Sequence, residues 1–159
     1  VAAVAAGVLI NTAGQLESSA SDTGEDAQAQ VSNQIDVVSA TGAVDGSEVN
    51  EVVLVVKKSP GSDAIDLSAA TIQYTSSSDS ETLSNSSGFT INSTDGSSTT
   101  DTVLDDTSER KKVVISLDGT PSALGEGEEA TLEIVDQSGA STVYGVNVPD
   151  VLTGDYVSV

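Results

Sequence analysis

The chain of 159 residues contains no cysteine, no histidine, no methionine and no tryptophan, and only five basic side chains. Without cysteine there is no disulfide, thiolate metal site or cysteine nucleophile, and without histidine the usual catalytic triads and zinc sites are closed. Most common enzyme chemistries are thereby unavailable, and no residue is assigned a catalytic role. Aromatic residues are nearly as scarce: Phe89, Tyr74, Tyr144 and Tyr156 are all there are, so a core has to be built from valine, isoleucine, leucine and alanine. Five lysines and arginines stand against 25 aspartates and glutamates, a net charge of −20 that repels nucleic acid and anionic membrane surfaces.

Such a charge fits disorder, calcium loading or a surface adapted to molar salt, where the Debye length of about 3 Å mutes self-repulsion. Disorder agrees with the Ser/Thr/Asp runs but not with the β-branched runs described below. The scatter of carboxylates along the chain, with almost no lysine, favours the saline reading, and the acidic surface is expected to need salt for folding. Asp45-Gly46, Asp95-Gly96 and Asp118-Gly119 do not continue into the ligand spacing of a calcium loop. They read as tight turns with glycine at positive φ. No cofactor is expected; a bridging cation stays open, with no ligand assigned.

What the chain does have is an apolar leading segment. Residues 1–16 carry no charge and are dominated by Ala, Val and Gly, a little short of the roughly 18 to 20 residues that span a bilayer. Val1, Val4, Val8 and Leu9 recur at helical spacing and small residues fill the other faces, so backbones of neighbouring helices can approach closely. Val1, Val4, Ala5, Val8, Leu9 and Leu16 are the candidate packing residues between subunits. The run begins abruptly and reads as the remaining half of a longer apolar helix. From Glu17 to Gln30 the chain turns polar, and Asp22-Thr23-Gly24-Glu25 predicts a kink or restart near residue 24. Val31 and Ile35 are expected to lay a last turn against the body. The division is thus a helix over 1–34 and an outer domain over 35–159.

Beyond residue 35 the period becomes strand-like. Residues 35–44, 49–58, 65–75, 88–91, 111–117, 130–135 and 141–148 are rich in β-branched residues and separated by Gly, Asp, Ser and Pro, which predicts about seven strands of an antiparallel β-sandwich. Val52-Val-Leu-Val-Val56 has no polar member and reads as a central strand covered on both faces. Between Ser76 and Asp106 a Ser/Thr/Asp-rich stretch interrupted by Phe89 and Ile91 predicts an exposed hairpin with long flanking loops. It holds two N-x-[ST] sequons, at Asn85 and Asn92, which makes both candidate glycosylation sites. All five bases fall in two clusters, Lys57-Lys58 and Arg110-Lys111-Lys112. They read either as guards at strand ends or as contacts to carboxylates on a neighbouring copy.

The order of these features resembles an archaellin, the archaeal flagellin, of the salt-loving type within the type IV pilin-like superfamily. The residues that carry the likeness are Leu9-Ile-Asn-Thr-Ala-Gly-Gln-Leu16 at the end of a Val/Ala/Gly helix, the polar segment after it, Val49-Asn-Glu-Val-Val-Leu-Val-Val-Lys-Lys58, Pro60-Gly-Ser-Asp-Ala-Ile-Asp-Leu67 and Ile72-Gln-Tyr74. The likeness is good over residues 1–75 and loose beyond. It implies an α+β chain: a long apolar helix buried in a filament core, followed by an immunoglobulin-like sandwich facing outward. It implies a homopolymer, with or without other archaellins, served by export machinery and a motor and touching membrane only before assembly. It also implies an extracellular filament for swimming. The competing readings are an adhesive type IV pilin and a membrane-anchored acidic surface domain that does not polymerise.

Overall fold

The computed structural model describes residues 2–119 and 121–159. One helix, α1 (Ala2–Ser32, 31 residues), precedes a body made almost wholly of β-strands. The helix runs unbroken through Gly24, so the expected kink is absent. Glu25, Ala27 and Gln28, which follow that glycine, are good helix formers, and one glycine costs only about 1 kcal/mol in a helix interior. At about 1.5 Å per residue, α1 is roughly 46 Å long.

The strands are β1 (Ile35–Asp45), β2 (Glu48–Lys58), β3 (Ile65–Asp66), β4 (Thr71–Ser76), β5 (Ser80–Asn85), β6 (Gly88–Ser93), β7 (Val103–Leu104), β8 (Lys111–Ser116), β9 (Leu124–Gly125), β10 (Glu129–Val135), β11 (Ser141–Asn147) and β12 (Tyr156–Ser158). Ten of them join one ladder in the order β11-β10-β4-β5-β6-β8-β2-β1-β12, with β9 paired to β2, while β3 and β7 form a separate pair. The α+β architecture read from the sequence is the one observed. The body's two layers belong to one ladder rolled over on itself. Its far ends meet through side chains: Thr142 Oγ1 donates to the Ile35 carbonyl at 3.0 Å and Tyr144 Oη to the Val159 carbonyl at 3.0 Å. A single aliphatic core fills the roll, with Val49, Leu54, Val56, Ile65, Leu104 and Ile115 fully excluded from solvent.

Three expectations need correction. The 65–75 run is not one strand. Asp66 caps a 3-10 turn at Leu67–Ala69, its carboxylate accepting from the Ser68 amide, and the turn splits β3 from β4. The 76–106 stretch is not an excursion, because β5 and β6 lie inside the ladder and bury Leu83, Phe89 and Ile91. They are the one parallel pair among the described residues, with Ser84 opposite Gly88 and Asn85 opposite Phe89. The link demands glycine at 88: φ is +109°, and a Cβ there would meet Leu83 Cδ2 at 2.5 Å. Finally, β2 is central but not covered on both faces: Val52, Leu54 and Val56 are buried while Val53 and Val55 are half-exposed on the outside. The three Asp-Gly pairs are turns as expected, with φ of +68° at Gly46, +87° at Gly96 and +108° at Gly119.

Candidate assembly surface

No residue of α1 is buried. Val4 is 71% exposed, Leu9 70% and Ile10 74%, with Val8 and Leu16 also in the open. Among the expected packing residues, Val4, Ala5, Val8 and Leu9 line one shared apolar surface, Leu16 stands two turns further along it, and Val1 lies outside the described residues. Ile10 sits off that stripe, where helical spacing alone does not pick it out, yet it makes the segment apolar on the opposite side as well. The one hydroxyl in this stretch is satisfied within the helix, since Thr12 Oγ1 donates to the Val8 carbonyl at 2.8 Å. The apolar half can therefore enter a dry environment without stranding that group. Gly7 and Gly14 have open space where a Cβ would stand. The protomer's own packing gives no reason for them, whereas close approach of another backbone does.

The helix is fastened to the body by polar contacts at its last turn. Asn33 is buried, its amide reaching the Ala29 carbonyl at 2.8 Å and its Oδ1 accepting from the Asp63 amide at 2.9 Å. Ser62, also buried, accepts from the Gln34 amide at 3.0 Å and donates to the Ser32 carbonyl at 3.1 Å. A carbonyl that a helix end leaves open is thus satisfied. Gln30 reaches the Gly139 carbonyl at 3.4 Å. Val31, expected to rest on the body, is 76% exposed; the strand residue Ile35 is buried instead. Serine is too common in this chain for Ser62 to have stood out.

The basic residues separate by depth. Lys111 is only 5% exposed, pointing inward in phase with Val113 and Ile115, and its ammonium pairs with Glu109 at 2.7 Å and Asp101 at 2.8 Å. It is thus engaged within the protomer. Lys112 faces outward beside Val114, Val53, Val55 and Tyr156, in a groove of about 500 Å³ that Asn92 also lines. Lys57 pairs with Asp36 at 3.2 Å, Lys58 donates to the Ser62 carbonyl at 3.2 Å and Arg110 to the Ser108 carbonyl at 3.0 Å. Strict alternation in Lys111-Lys-Val-Val-Ile115 was the signal that could have told Lys111 from Lys112.

Burial draws the Lys111 ammonium's pKa down, but the hydrogen bonds and charges of Asp101 and Glu109 outweigh it and the net shift is upward. Glu109 is held below the usual carboxylate range, chiefly by Lys111. A depressed carboxylate stabilises the fold above its unfolded value and loses that contribution as pH falls through the folded one; a raised ammonium loses its contribution only at high pH. The urea midpoint at constant high salt is therefore expected to be level from about pH 5 to about pH 10 and to fall below about pH 4. Glu109→Gln should lower the neutral-pH midpoint and shrink the acid-side fall. An identical acid-side fall in the variant would remove Glu109 from this account.

Of the candidate glycosylation sites, Asn92 stands on the outer register of β6, opposite Lys112 on β8. Asn85 ends β5 in phase with the buried Leu83. Both are half-exposed. Among the described residues no group of three or more carboxylates could hold a metal ion, and no helix is long and apolar enough to cross a membrane.

The archaeal-type flagellin family profile matches residues 1–146. Flagellin A2 of Halobacterium salinarum is 45% identical over 159 residues, covering 96% of this chain and 82% of that protein. Flagellin A2 of Haloferax volcanii is 31% identical over 185 residues, covering 97% and 84%. Among solved structures, the archaeal flagellum of Methanospirillum hungatei superposes with a TM-score of 0.75 at 22% identity, over 98% of this chain and 90% of that one. The crystal structure of flagellin FlaB1 from Methanocaldococcus jannaschii gives 0.68 at 14% identity, over 79% and 96%. These structural likenesses speak for the fold.

Proposed function

The chain belongs to the archaeal-type flagellin family, and from that premise we propose how its parts are used. It is a structural subunit of an archaellum, the extracellular filament by which archaeal cells swim. The apolar half of α1, with Val4, Ala5, Val8, Leu9 and Leu16, packs among the same helices of other copies or of sister flagellins. The acidic body stays outside in the brine. The observation that carries this reading is a helix of 31 residues with none buried and large aliphatic side chains in the open on opposite sides. Such a surface is not left in water, and many parallel helices cover it on every side.

On this reading the subunit is exported by dedicated machinery, meets membrane only before it joins the filament and is turned by a motor that it does not itself contain. It performs no catalysis and needs no cofactor. Asn92 is the better placed of the two sequon asparagines to carry a glycan, because its side chain leaves the sheet on the outer face.

Electron cryo-microscopy of native filaments tests the reading. The expected map has α1 helices at the centre, β-bodies at the rim and extra density on Asn92. Helices solitary in lipid, or lying on the filament surface, would overturn it.

A further inference from the structure

The antiparallel register of β2 and β8 sets Val55 opposite Lys112 and Val56 opposite Lys111, and that of β1 and β2 sets Ile35 opposite Lys58. All five positive side chains therefore gather at one end of the rolled sheet, and it is the end into which α1 feeds. Lys111 and Lys57 are neutralised by carboxylates of their own protomer. Lys58, Arg110 and Lys112 have none within 4.0 Å among the described residues. Asp106 and Asp95, the carboxylates that feel Lys58 and Lys112 through space, are already held by Ser108 and Ser97.

The opposite imbalance lies on α1. Its second half carries Glu17, Asp22, Glu25 and Asp26, all exposed, and the first basic residue of the chain is Lys57. Asp22, Glu25 and Asp26 fall at i, i+3 and i+4, on one face. When such helices stand side by side these carboxylates approach one another with no positive charge on the helix to part them.

We propose that the Lys58–Arg110–Lys112 end of one subunit's sheet receives the Asp22–Glu25–Asp26 face of α1 from a neighbouring copy. The contact rests on the filament reading and names its polar seam. Residues 22–26 lie six to ten positions before the helix end at Ser32, about 9 to 15 Å along the axis. A neighbour displaced by that distance brings its basic end level with them. The seam falls on the polar half of α1, C-terminal to the apolar run that ends at Leu16. In molar salt the reach of these charges falls to about 3 Å, which leaves touching pairs effective while muting repulsion between the acidic bodies.

The test is the salt concentration at which half of the protein remains in pelletable filaments. Lys58→Glu/Arg110→Glu/Lys112→Glu should raise it by about twofold or more, and the neutral Lys58→Gln/Arg110→Gln/Lys112→Gln by less, since like charge juxtaposed at an interface is worse than charge removed. Adding Asp22→Lys/Glu25→Lys/Asp26→Lys to the reversed variant should restore the wild-type value, and circular dichroism shows which variants retain the body's β signal. An unchanged requirement in a folded reversed or neutral variant, or no recovery in the swapped one, overturns the contact while filaments persist. A wild-type chain that yields no filament at any salt overturns the filament reading and this contact with it.

Discussion

Val8→Asp/Leu9→Asp is expected to abolish filament formation while leaving the β-body folded. Both side chains are exposed in the protomer and take no part in the buried core of the body, so the body loses no core contact when they change. In the assembled core each new carboxylate meets hydrocarbon on neighbouring helices, and an unpaired buried charge costs several kcal/mol at the least. Repeated in every subunit, that penalty removes the gain from burying the helix. The measurement is sedimentation in high salt beside circular dichroism. The control is Ser18→Asp/Ser21→Asp, which adds the same two charges on the polar half of α1. Pelletable protein should drop below about a tenth of wild type in the first variant and stay near wild type in the second. Equal pelleting of both would show that the apolar half is not where subunits join.

The second large effect is the mirror image, a loss of fold from a residue that no other subunit needs to touch. Leu54 is wholly buried in β2, opposite Ala40 on β1 and Val113 on β8. Leu54→Ala leaves a hole that the rolled sheet cannot close, because both neighbouring strands are fixed by their ladders. The expected loss is about 2 to 5 kcal/mol, against a total of about 5 to 15 kcal/mol for a domain. Urea unfolding in high salt should show a clearly lower midpoint with an unchanged slope. A loss of less than about 1 kcal/mol in unfolding free energy would mean that the core repacks around the gap. Together the pair separates what holds a subunit from what holds the filament.

Much of this division is legible in the amino acids. The uncharged run before Glu17 announces a surface that cannot stay wet, and the β-branched runs place β1, β2, β6, β8, β10 and β11 within a residue or two. The strand at Ser80-Glu-Thr-Leu-Ser-Asn85 is not legible, because Leu83 is its one large apolar residue. It is a strand because β4 and β6 offer open edges on either side, a property of the ladder and not of the segment. Likewise no local signal marks Ser62 or Asn33, whose roles exist only once the chain returns from β2 to the end of α1. The two basic clusters stand out in the sequence as clusters. That they form one end of the body follows from the register of two strands more than 50 residues apart.

The fastening of α1 to the body has a mechanical consequence. Only Asn33 and Gln34 separate the helix from the first strand, and the side-chain bonds that brace this neck come from Asn33, Ser62 and Gln30, beside a backbone bond from the Ser59 amide to the Gln34 carbonyl. On the proposed reading, drag on the outer globule reaches the filament axis through two residues and a few hydrogen bonds, which are directional and weaken as the neck bends. The neck is therefore expected to yield in bending before either the rod or the globule deforms. A shaft assembled from such units can flex under viscous load while its central rods keep their register.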